Sequence, residues 1–246
     1  MNAKTDDFES FWDSLKTILT ATPSTDTVFN QYCDCNPQLD LPDAANLRME
    51  NLRRYMSEAT ETASILVVGE AAGPWGCRFS GVPFTGERQL LDHSFPLCGE
   101  RSSKTEPTRL TKIVPPFTSR SAETFWDVML PYHCRFLMWD AFPLHPHKRG
   151  EFLTVRNPTR MEVAQFQEAL SLITRFMNPT RIVAIGRKAE IMVKSLGEVV
   201  EYVRHPSRGG KVEFADGMRS LFGGVEITMH GLSAVEKERG TDEDCH

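Results

Sequence analysis

No apolar run in the 246-residue chain approaches the ~18 residues needed to cross a bilayer. The opening stretch, MNAKTDDFESFW, also lacks the basic-then-apolar pattern of a secretory signal. The expectation is a protein with no membrane partner that works in the cytoplasm. Cysteine is sparse. Cys33, Cys35, Cys77, Cys98, Cys134 and Cys245 are too few for a disulfide framework in so long a chain, so free thiols are expected. An excess of positive charge is missing too, since 28 Lys and Arg stand against 33 Asp and Glu. The resulting net charge of −5 counts against a nucleic-acid partner unless basic residues cluster locally. Much of the acidity is terminal, in TDD near the start and TDEDCH at the end. Finally, the glycine-containing segment GEAAG has neither the G-x-G-x-x-G nor the P-loop pattern that cradles phosphates, which disfavours a nucleotide-binding protein.

What is present suits one globular domain, with 40% hydrophobic and 25% charged residues over 246 positions. Phe8, Phe11, Trp12, Leu15, Ile18 and Leu19 recur at helical spacing, and Ala45 to Met56 forms a second helical stretch. Four short apolar runs read as buried strands: Ile65 to Gly69, Arg135 to Phe142, Arg181 to Ile185 and Val199 to Arg204. Thr159 and Glu162 have capping-box spacing and open a helix with Val163, Phe166, Leu170, Ile173 and Met177 on one face. Lys188 to Leu196 reads as another helix, closed by Gly197.

Strands alternating with helices predict an α/β fold, a three-layer α/β/α sandwich around a mostly parallel four-stranded sheet. The expected layout is a single domain over 1–246: a helical region at 1–60, an α/β core at 61–232 and a flexible tail at 233–246. Ligands of such sheets bind beyond the carboxyl ends of the strands. Attention therefore falls on GEAAG, Asp140, Gly186 to Lys188, and His205-Pro206-Ser207.

These segments carry a resemblance. Gly69-Glu70-Ala71-Ala72-Gly73, followed by Gly81-Val82-Pro83-Phe84-Thr85-Gly86, resembles the GEAPG and G-x-PF-x-G segments of family 4 uracil-DNA glycosylases. His205-Pro206-Ser207 is similar to the HPS motif found across that superfamily, and WDAFPLHPH and VRNPTRMEV lie between them in the family's order. The correspondence runs from about Ile65 to Phe222. It implies a DNA glycosylase that flips uracil or a related deaminated base out of DNA, acts as a monomer and needs no cofactor.

The residue types fit that chemistry. Breaking an N-glycosidic bond passes through an oxocarbenium-like sugar and an anionic leaving base, so a carboxylate must orient water and donors must stabilise the base. The resemblance gives the catalytic roles to Glu70, which positions water, and His205, which donates to the leaving base. Glu70 could equally be an acid favoured by a helix dipole, and His205 a structural residue. By the same resemblance Phe84 stacks on the base, the backbone at Ala71 and Ala72 borders it, and Asp140 reads its edge. Arg187, Lys188, Ser207, Arg208 and Lys211 are the expected DNA-backbone contacts, the alternative being a solvated turn.

Two departures qualify the resemblance. Family 4 enzymes hold an iron-sulfur cluster on four cysteines, but the early pair here is C-x-C, Cys33 and Cys35, and two further positions are not cysteine. Cys134, His145 and His147 lack a zinc-ligand spacing, and Pro146 is expected to splay the two imidazoles, so no metal is expected. Asp140 stands where most of the superfamily has Asn. A neutral Asp could imitate Asn towards uracil, while an ionised one suits an amino-bearing base. A glycosylase for another base, or a weakly catalytic protein that holds abasic or flipped sites, therefore stays open.

Overall fold

A computed structural model describes residues 3–106, 111, 113–207 and 209–223. The expected tail at 233–246, the end of the expected core, Cys245 and Arg208 lie outside the described residues.

The N-terminal periodicity becomes α1 (Ala3–Thr20), which buries Phe8, Phe11, Trp12, Leu15 and Leu19. A short strand β1 (Val28–Phe29) follows, and then α2 (Ala44–Thr62), which sends Leu52, Tyr55 and Met56 into the core. The first sheet strand is β2 (Ile65–Ala71). Two single-turn helices, α3 (Cys77–Ser80) and α4 (Glu87–Leu90), precede α5 (Arg120–Met129), whose cap Ser119 accepts the Ala122 N–H. The fully buried β3 (Phe136–Phe142) leads to β4 (His145–Pro146), which pairs antiparallel with β1.

Thr159 and Glu162 form the expected capping box, but the helix they open is broken. α6 (Arg160–Ala164) stops before Phe166, and α7 (Gln167–Met177) restarts after it. Phe166 is 1% exposed and packs edge-on against Phe142 at 5.5 Å, so core burial takes precedence over helical continuity. β5 (Arg181–Ile185) and α8 (Arg187–Ser195) follow, and Gly197 adopts a positive φ of 80° just beyond the helix. β6 (Glu201–Val203) is shorter than the expected Val199 to Arg204, since it pairs with β5 only from Glu201 to Val203. α9 (Lys211–Phe222) ends the described core.

The sheet has four strands in the order β3-β2-β5-β6, all parallel, flanked by helices as expected. From β2 the chain steps one way to β3, then crosses back over β2 to β5 and β6. Right-handed crossovers then send the first connection to one face and the later two to the other. α5 packs with α9, where Phe125 lies 6.2 Å from Phe214, while α7 packs with α1 through the stacked Phe11 and Phe176 rings at 4.1 Å. The reversal of direction falls between β2 and β5. That switch point opens a crevice at the strands' carboxyl ends.

A buried charge cluster holds the segment that follows β2. Asp40 pairs with Arg48 at 2.7 Å and accepts from Arg78 at 3.0 Å, and all three are almost fully buried. Burial alone would raise the Asp40 carboxyl, yet Arg78 and Arg48 together hold it below its ordinary range. Because Arg78 belongs to α3, this pairing fixes the turn between the two glycine-rich motifs.

Candidate active site

A cleft of about 670 Å³ opens at the switch point. Glu70, Ala71, Phe84, Asp140, Arg187, Lys188, His205 and Ser207 all line it, so residues from separate segments meet where the strand ends predicted.

Asp140 forms the floor. It sits opposite Gly69 in the β2/β3 register and is 4% exposed. A side chain at Gly69 would overlap both the Asp140 carboxyl and the Phe84 ring, so the missing Cβ lets these two groups approach. Burial, and after it the nearby charge of Glu70, raises the Asp140 carboxyl from 3.8 to about 7. Phe84 holds a left-handed backbone with φ 53°, a conformation that costs a non-glycine residue ~1 kcal/mol or more and marks functional turns. One ring face lies on Phe125 at 4.5 Å and 20°, which fixes the plane presented to the cleft.

Glu70 stands at the cleft and also at the start of a helix. It lines the cleft, and its Oε1 accepts the Lys188 N–H at 3.1 Å, at the positive end of α8. Gly186, with φ 92°, makes this possible, since a Cβ there would overlap the Glu70 carboxyl. His205 Nδ1 accepts the Ser207 N–H at 3.1 Å and lies 2.8 Å from Ser207 Oγ. An N–H can only donate, so Nδ1 carries no proton and a neutral His205 ring bears its hydrogen on Nε2.

Other expected residues stand apart. Ala72 is fully buried, with its N–H 3.4 Å from the Phe142 carbonyl and its own carbonyl 3.0 Å from His145 Nδ1, while Ala71 borders the cleft. Lys211 begins α9 and reaches Asp127 at 3.7 Å, away from the cleft lining. Arg187 does line the cleft, but its guanidinium carbon lies over the Tyr202 ring at 3.9 Å and the group is bonded to Glu190 at 2.6 Å. Arg120, Arg156 and Arg204 also line the cleft, and reasoning from strand ends missed them. A signal existed for Arg156: Glu162, whose spacing from Thr159 marked the helix start, grips it through two bonds of 2.5 and 2.9 Å.

The imidazoles of His145 and His147 do not diverge. Alternate residues of a strand share a face, and Pro146 fits the extended backbone of β4, so the rings stack at 5.7 Å. Both are buried, and burial lowers His145 to about 4, while its two ring nitrogens lie 3.0 Å from the Ala72 and Phe152 carbonyls, whose hydrogen bonds act in the opposite direction. Among the described residues no three of His, Cys, Asp and Glu gather as a metal site. Among the described residues the exposed Cys33 and Cys35 share one loop, Cys98 and Cys134 are exposed on two other segments, and Cys77 is buried at the cleft, where burial pushes its thiol up. This donor set does not fit a four-cysteine iron-sulfur cluster.

Residues 56–217 match the family model described as the uracil DNA glycosylase superfamily. The chain belongs to this superfamily. Membership makes it a DNA glycosylase-type hydrolase whose partner is DNA. No curated protein matches the sequence. Among solved structures it is similar to wild-type SMUG2 of Pedobacter heparinus, with a TM-score of 0.51 and 14% identity over 87% of this chain and 97% of that one. At that identity the likeness concerns the fold.

Proposed function

We propose that this superfamily member excises uracil from DNA as a monofunctional, monomeric glycosylase, and that Asp140 in its neutral form recognises the base. The observation that carries this reading is a carboxyl 4% exposed on the cleft floor, with its titration pushed up to about 7. A neutral carboxyl donates through its O–H and accepts through its carbonyl, which matches uracil O4 and N3–H in the manner of an amide. An ionised Asp140 would instead face O4 with a second acceptor, a mismatch worth ~1–3 kcal/mol in a dry pocket.

The base, flipped from the duplex or taken from a single strand, stacks on Phe84 and borders the Ala71 backbone. The C1′–N1 bond then breaks and its electron pair leaves with the base, towards O2, where the Nε2–H of His205 donates. Glu70 holds water against the cationic sugar and takes its proton as the new C1′–O bond forms. Lys188, Ser207 and Arg204, with Arg208 further along the chain, supply positive or hydrogen-bonding contacts for phosphates. Supporting this division of roles are the shared cleft, the Nε2–H tautomer and the anchored Glu70.

The test is an excision panel over uracil, hypoxanthine, xanthine, thymine mispairs and cytosine in both strand forms. The expected result is release of free uracil, lost in Glu70→Gln. Preferred release of an amino-bearing base would instead favour an ionised Asp140. Tight binding to abasic DNA with no release of any base would make the chain a holder of such sites.

A further inference from the structure

We infer that Arg187 and Tyr202 together form a stacking platform for the unpaired nucleobase next to the one being excised. This rests on the reading of the cleft as a DNA glycosylase site. It assigns Arg187 a role different from the phosphate contact that its charge and strand-end position suggest.

Three observations carry the assignment. Tyr202 belongs to the edge strand β6 and is 36% exposed, a position where a tyrosine with no partner gains little from its ring. The Arg187 guanidinium carbon lies over that ring, 3.9 Å from its centre, and the Arg187 side chain is 68% exposed in the cleft that both residues line. Glu190, one turn along α8, bonds Arg187 at 2.6 Å as well as Lys194 at 2.7 Å, and so restrains the guanidinium. A guanidinium bonded to a carboxylate and covered on one side by an aromatic ring has fewer donors left for a phosphate. It is well arranged to stack, since nucleobases lie on guanidinium planes as they do on aromatic rings. Tyr202 thus orients the guanidinium, Glu190 restrains it in the plane, and the neighbouring base covers it.

The location suits this use. Arg187 is the first residue of α8, directly after Gly186 and beside Lys188, whose N–H holds Glu70. Arg187 therefore sits one residue from the backbone N–H that anchors the Glu70 carboxylate. A base adjacent to the extracted nucleotide loses its stacking partner when that nucleotide leaves the helix, and the Arg187–Tyr202 pair would replace it.

The test measures binding of short single-stranded DNA that carries one uracil nucleotide with a 2′-fluorine, which resists cleavage. Three oligonucleotides are compared, intact or with an abasic neighbour on the 5′ or the 3′ side. Arg187→Lys keeps the charge and discards the plane, and Tyr202→Ala discards the ring. On the intact strand each substitution is expected to weaken binding roughly 5- to 150-fold, the range for one stacked base. On the strand abasic at the platform position, both variants should match the unsubstituted protein, and the salt dependence should stay unchanged. Tyr202→Trp, which retains an aromatic face at this edge position, should bind as the unsubstituted protein does. Full binding by Arg187→Lys, or an equal loss on all three strands, would overturn the platform. No DNA binding by the unsubstituted protein would refute the glycosylase reading itself.

Discussion

Replacing Asp140 by Asn should change the pH dependence of uracil excision, not merely its size. The carboxyl is carried from 3.8 to about 7 by burial and by the charge of Glu70. If only the neutral form reads uracil, the active fraction falls tenfold for each pH unit above that value, to about 1% near pH 9. Asn holds the same two hydrogen-bonding groups at every pH. The ratio of Asp140→Asn to unsubstituted rates should therefore lie near one at about pH 5 and climb towards ~100 near pH 9. Taking the ratio cancels the titrations of other groups shared by both proteins. The assay is single-turnover release of uracil from a labelled single strand. A ratio independent of pH would refute the neutral-carboxyl argument, and a ratio below one at every pH would point to an amino-bearing substrate.

The same group should leave a mark on stability. Its folded-state titration lies above the unfolded one, so the folded protein holds an extra proton between about pH 4 and 7. Stability from this group is complete below about pH 4 and is lost as pH rises through about 7. Carrying a carboxyl from 3.8 to about 7 destabilises its ionised form by up to about 4 kcal/mol. Asp140→Asn should thus raise the denaturant midpoint at pH 8 and scarcely change it at pH 4, and equal midpoints at both would contradict the burial argument.

Glu70→Gln should slow single-turnover excision by ~10²–10⁴-fold while DNA affinity stays within a few-fold; a rate near that of the unsubstituted protein would remove Glu70 from catalysis. Gly69→Ala should crowd Asp140 and Phe84 apart and slow excision by ~10²-fold, the cost of displacing a base by about 1 Å; unchanged rates would show the close approach is dispensable. Asp40→Asn leaves Arg48 and Arg78 buried without their carboxylate, so unfolding in urea should show a loss of ~3–5 kcal/mol. Excision after exhaustive chelation should match the untreated rate, and restoration by added metal after a loss would reveal a ligand set the thiol and imidazole spacing did not disclose.

How much of this was legible beforehand follows from the range of each interaction. Local signals were enough for the layers: the short apolar runs that open at Ile65, Arg135 and Arg181 became parallel strands, the second starting one residue later at Phe136, and the α1 periodicity became a buried face. The capping box at Thr159 and Glu162 marked its helix start because cap and partner are three residues apart. Strand ends also indicated where Glu70, Asp140, Arg187 and His205 would meet, since a parallel sheet aligns its carboxyl ends whatever the side chains. What they could not indicate was partnership across the fold. Phe166 broke a helix to reach Phe142, a contact between distant segments. His145 and His147 stacked because β1 pairs with β4, and Arg156 entered the cleft because Glu162 turned back on it. The tilt of Asp140 towards neutrality needed both a dry floor beneath Phe84 and a second carboxylate at the switch point. Residue type and spacing determined which groups this protein could use. Burial and charge from non-adjacent segments, which exist only once the sheet has assembled, decided their protonation and their partners.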